Sequence, residues 1–138
     1  MPLDVTPHLN FAGQARAALG FYAGVFGGEP VIMSYEAMGQ AQRGSSPDDV
    51  MWGQVASDDG FRIMAYDVQA GLDHDAGTNA FYVAVSGTSI DEVQTRWDAL
   101  ADGATILQPI GPAPWSPMYG MLTDRFGVTW ILDVAQSA

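Results

Sequence analysis

A chain of 138 residues is expected to form one domain, 1–138, long enough to bury a sizeable core. Sixteen acids face five arginines with no lysine, and a formal charge of −11 opposes binding to nucleic acid. The absence of cysteine excludes a disulfide framework and thiolate metal sites. No apolar run has the length of a membrane span, and the start MPLDVTPHLNF shows no signal-peptide pattern. The expectation is a cytoplasmic protein without a membrane partner.

In chain order, VTPHLNF (5–11) reads as a strand with Val5, Leu9 and Phe11 on one face. Residues 14–26 suit a helix, with Ala18, Tyr22, Val25 and Phe26 as its apolar stripe and Gly27-Gly28 as its stop. A strand is expected at 29–37, a polar loop at 39–49, and strands at 50–56 and 61–67 joined by the turn Asp58-Asp59-Gly60. An acidic linker, QAGLDHDAG, follows.

The second half repeats this order. AFYVAV (80–85) reads as a strand, and Ser89 with Glu92 has capping-box spacing at the start of a helix. The stripe Val93, Trp97, Leu100 and Ala101 lies 75 residues after its counterpart in the first helix. Strands are expected at 104–108, 118–124 and 128–134, with a Pro-rich loop at 109–117. MWGQVASDDGFRIMAYD from Met51 matches MYGMLTDRFGVTWILDV from Met118 at a shift of 67, including Gly53 on Gly120 and Gly60 on Gly127. The chain is therefore expected to be an α+β protein of two βαβββ units, about 3–69 and 78–135. Each helix would cover one sheet face, leaving a curved surface with a concave cavity for a ligand.

FYAGVFGGE at the end of the first helix and YGMLTDRFGVTW across the last hairpin resemble the PhnB-like branch of the glyoxalase/bleomycin-resistance (vicinal oxygen chelate) superfamily. The resemblance covers essentially the whole chain and implies paired βαβββ units. Many such proteins hold a divalent metal and perform isomerisation, epoxide opening or ring cleavage; others sequester an antibiotic. The resemblance places the usual metal positions at Thr6, Met64, Ala80 and Ile131. These offer at most one weak hydroxyl donor, so no cofactor is expected, a divalent metal being the alternative.

Alternation from Leu9 and Phe11 sends Thr6, His8 and Asn10 to the opposite, cavity side. Trp52, Gln54, Tyr119, Met121, Arg62, Met64, Tyr66 and Tyr82 join them by the same rule, and Trp115 would close the mouth. The expected ligand site is His8, Asn10, Trp52, Gln54, Met64, Tyr66, Tyr82, Trp115 and Tyr119, an aromatic and Met-rich lining suited to a small aromatic or amphipathic molecule. His8 is the candidate base, although a lone histidine more often serves structure. His74 reads as a solvated loop residue and Arg62 as one half of a surface ion pair. Phe21, Tyr22, Phe26, Trp97 and Trp130 are assigned to helix packing.

No GxSxG, Walker-A, GxGxxG or HExxH sequence occurs. Two functions remain: a binding module for a small organic molecule, or a lyase, dioxygenase or isomerase with an unusual site around His8. The resemblance also implies a homodimer.

Overall fold

The computed structural model describes residues 3–135. Its elements run β1 (His8–Phe11), α1 (Ala15–Phe26), β2 (Glu29–Ser34), β3 (Val50–Ala56), β4 (Arg62–Asp67), β5 (Val83–Gly87), α2 (Ile90–Leu100), β6 (Thr105–Ala113), β7 (Ser116–Thr123) and β8 (Thr129–Val134). A short 3₁₀ turn covers Ala41–Arg43. The result is α+β, two βαβββ units, with the first ending at Ala76 and the second beginning at Gly77. No helix among the described residues is long and apolar enough to cross a membrane.

The sheet of unit 1 has the order β1-β4-β3-β2, with β1 parallel to β4 and the other pairs antiparallel. Alternation along β4 buries Ile63, Ala65 and Asp67 and leaves Arg62, Met64 and Tyr66 on the other face. On the buried face lies α1, with Ala15, Ala18, Leu19, Tyr22, Val25 and Phe26 inward. The start of α1 has no side-chain cap from Gln14. Asp67 takes that role from a distance: its Oδ1 accepts hydrogen bonds from Gly13 N (2.7 Å) and Ala15 N (3.0 Å). Its negative charge at a helix N-terminus is also favourable. Asp67 Oδ2 accepts from Val50 N at 2.9 Å, and the Tyr35 hydroxyl donates to the Asp67 carbonyl at 2.7 Å. At the far end Gly27, at φ 89°, turns the chain out of the helix while its N–H bonds Ala23 O.

Unit 2 repeats the plan with the order β5-β8-β7-β6. Ser89 Oγ accepts from Glu92 N at 3.2 Å, and Asp91 and Glu92 sit in the first turn of α2, where acids suit the helix dipole. The helix turns Val93, Trp97 and Leu100 inward. Leu122, Trp130 and Leu132 are buried on the strands, and the Trp130 indole donates to Asp124 Oδ2 at 2.8 Å. The β3–β4 and β7–β8 hairpins close alike, through Ser57 N to Phe61 O and Asp124 N to Val128 O, with Gly60 and Gly127 at positive φ.

Four expected boundaries move. The first strand begins at His8 rather than residue 5, and Val5 is 94% exposed. Strand β2 ends at Ser34, after which the chain turns and buries Tyr35. Strand β5 spans 83–87 rather than 80–85, because its ladder with β8 starts at Val83 opposite Trp130. The residues ahead of it have no such partner, and Phe81 is 67% exposed. The Pro-rich stretch 109–117 is not a loop but the end of β6, a turn at Pro114-Trp115 and the start of β7. Pro109 and Pro112 are tolerated because β6 is an edge strand, where a missing N–H breaks no second ladder, and its register shifts repeatedly along this stretch.

Candidate functional site

In unit 1 the face turned away from α1 carries the sequence-predicted residues in ordered rows. His8 pairs with Met64, Met64 with Gln54, and Gln54 with Val31, forming one row across all four strands. Asn10 pairs with Tyr66 in the next row, and Trp52 pairs with Met33. His8 and Asn10 are exposed, while Trp52, Gln54, Met64 and Tyr66 are half-buried. The fold thus brings six of the nine expected site residues onto one sheet face.

His8 is held in a defined pose. Its Nδ1 lies 3.0 Å from Asn10 Oδ1, and its ring meets Tyr66 edge-on with centroids 5.2 Å apart. An amide oxygen only accepts, so in this contact Nδ1 is the donor, and Nε2 sits on the far side of the ring from Asn10. His74 is exposed, as expected, yet its Nε2 lies 2.9 Å from the Asn10 carbonyl, tying the acidic linker to β1. Sequence reasoning missed that tie because nothing in LDHDAG signals it. Arg62 pairs with Asp4 at 3.6 Å, both side chains well exposed, as a surface pair of small energetic weight.

In unit 2 the corresponding rows run Ala84–Ile131–Met121–Gln108 and Ser86–Asp133–Tyr119–Gly111. Trp115 meets Tyr119 edge-on, with centroids 5.2 Å apart, and stands 59% exposed in the β6–β7 turn. Tyr82 lies ahead of β5, not on the sheet, and its hydroxyl donates to Asn79 Oδ1 at 3.0 Å.

Thr6 and Ala80 also lie outside the strands. On the first strand of each unit, the residues paired with Met64 and Ile131 are His8 and Ala84. One imidazole and one thioether in unit 1, and two aliphatic side chains in unit 2, do not make a donor set for a hard or borderline divalent cation. Among the described residues no three His, Asp or Glu side chains gather as a metal-binding group. The residues present therefore do not fit the metal that many superfamily members use.

A family model described as 3-demethylubiquinone-9 3-methyltransferase matches residues 3–132. The chain belongs to this family. Protein PA1353 from Pseudomonas aeruginosa is 28% identical with a TM-score of 0.84, covering 99% of this chain and 100% of that one. A putative 3-demethylubiquinone-9 3-methyltransferase, PhnB protein, from Bacillus cereus is 29% identical with a TM-score of 0.78, covering 96% and 100%. Protein YjdN of Escherichia coli K12 is 26% identical, covering 99% of this chain and 97% of its own. The PhnB-like family shares its fold with proteins of the glyoxalase/bleomycin-resistance/dioxygenase superfamily, as the resemblance implied.

Proposed function

We propose that this PhnB-like chain binds a small aromatic or amphipathic molecule against the face of unit 1 turned away from α1. The observation that carries this reading is the row His8–Met64–Gln54–Val31 beside Trp52 and Tyr66. It combines polarizable and aromatic surface with a few fixed hydrogen-bonding groups, the composition of small-molecule sites. The methyltransferase in the family description does not transfer readily. The β1–α1 turn is Ala12-Gly13-Gln14, not a glycine-rich nucleoside-binding loop, and its Gly13 N–H is already engaged by Asp67 rather than open to a cofactor.

The test is an NMR screen of small aromatic and amphipathic fragments against the ¹⁵N-labelled chain. Binding should shift amide signals of β1, β3 and β4, and Trp52→Ala should weaken a planar hit by about 1–3 kcal/mol. Hits that shift only residues elsewhere would refute the reading.

A second reading, enzymatic catalysis around His8, is favoured by one observation. The Asn10 bond leaves Nε2 of His8 as a base aimed away from its own partner. Turnover of an added compound that is lost in His8→Ala but not in His74→Ala would establish it.

We further infer a homodimer. The edge strands β2 and β6 expose Val31 at 49%, Ile106 at 43% and Leu107 at 49%, apolar surface that pairing would cover. Sedimentation at micromolar concentration should give twice the 14.7 kDa chain mass; a monomer alone would reject it.

A further inference from the structure

The face of unit 2 turned away from α2 carries a carboxylate that neither the repeat nor the core requires. Asp133 lies on β8, a strand, where aspartate is disfavoured. Its counterpart 67 residues earlier is Tyr66, so the βαβββ plan does not demand an acid here. The Ser86 hydroxyl donates to Asp133 Oδ1 at 2.5 Å, which orients the carboxylate without neutralising it. Unit 2 has two arginines. Arg96 belongs to α2, and Arg125 in the β7–β8 turn bonds Asp102 at 2.9 Å.

Directly opposite Asp133 on the neighbouring strand stands Tyr119, at a spacing that brings cross-strand Cβ atoms to roughly 4.5–5.5 Å. Trp115 meets Tyr119 at an interplanar angle of 79°, so the two rings form perpendicular walls of a corner. Two aromatic faces beside a carboxylate are the chemistry that recognises an organic ammonium group, through cation–π attraction and direct charge pairing. The adjacent row supplies Ile131 and Met121 as an apolar floor for the body of such a molecule. The chain's net charge of −11 adds long-range attraction for cations.

We propose that Asp133, Ser86, Tyr119 and Trp115 form a site for an organic ammonium compound with a small apolar body. The site draws on residues of unit 2 alone, and its test does not use the reading made for unit 1.

The test compares choline with its neutral isostere 3,3-dimethylbutan-1-ol, each titrated into the full ¹⁵N-labelled chain while the tryptophan indole N–H signals are read. Choline should shift the Trp115 signal and bind about tenfold more tightly than the alcohol. Asp133→Asn keeps an oxygen to accept the Ser86 hydroxyl but removes the charge, so the preference should disappear while the melting temperature holds. Trp115→Ala should weaken choline about three- to fivefold. Asp91→Asn, on the first turn of α2, removes the same charge from the chain and should change nothing. Equal binding of choline and the alcohol, no shift at Trp115, or an Asp133→Asn variant that keeps the preference would each overturn the proposal. The comparison of the two ligands on the unaltered chain decides the matter even if a variant does not fold.

Discussion

Gly53 and Gly120 hold the same place in the two units, each where a helix side chain presses onto the third strand of its unit. A Cβ on Gly53 would lie 2.3 Å from Leu19 Cδ1, and one on Gly120 would lie 2.8 Å from Trp97 Cζ3. The glycines that betray the repeat in the sequence are therefore contact points where backbone and helix meet without a side chain between them.

Gly120→Ala should destabilise the chain by about 1–3 kcal/mol, because both Trp97 and Ile110 crowd the added methyl. Urea unfolding measures this. Gly60→Ala offers the contrast: nothing stands within 4 Å, but its φ of 103° strains any other residue, so its cost is conformational. A Gly120→Ala variant as stable as the parent would mean that α2 does not pack where the structure puts it.

Trp97 and Trp52 differ in burial. Trp97 is 5% exposed on α2, and Trp97→Ala should cost roughly 3–5 kcal/mol. Trp52 is half-buried on the face turned away from α1, and Trp52→Ala should cost clearly less folding stability. Thermal melts of the two variants check this, and the reverse order would show that the sheet faces are misassigned.

Asp67 is fully buried and satisfies three backbone N–H groups, those of Gly13, Ala15 and Val50. Asp67→Ala leaves all three without their acceptor and should destabilise by about 3 kcal/mol or more. Hydrogen exchange should accelerate first at Gly13, Ala15 and Val50. In unit 2 the matching position is Val134 and α2 is capped locally by Ser89, so exchange in α2 should change little.

Asp49 carries a pH signature. Burial, and next the nearby Asp67 carboxylate, push its carboxyl above the ordinary aspartate range. Between the ordinary value and the raised one, the folded chain keeps a proton that the unfolded chain has released. Stability therefore falls as pH rises through that window. Asp49→Asn should raise the melting temperature at neutral pH, and the gain should shrink as the solution is acidified through the window. A gain that grows on acidification would contradict the sign.

Much of this architecture was legible in the residues themselves. Period-3.6 stripes at Ala18–Phe26 and Val93–Leu100, alternation at 62–67, and the 67-residue echo of Gly53 in Gly120 are local patterns, and local patterns survive in a linear text. They also placed His8, Asn10, Trp52, Gln54, Met64 and Tyr66 on one face, since alternation decides which way a strand residue points. Strand ends were not legible. Alternating Ala80, Phe81 and Tyr82 look like strand, and Pro109 and Pro112 look like loop. Only the reach of β8 and the edge position of β6 decide otherwise, because a ladder exists only where a partner supplies hydrogen bonds. The engagements of Asp67 with the start of α1, of His74 with Asn10, and of Asp133 with Ser86 and Tyr119 join residues 47 to 64 apart, or strands brought side by side. Such pairings carry no mark in the sequence. They arise when the chain closes its sheets, and tertiary structure alone decides which polar groups meet.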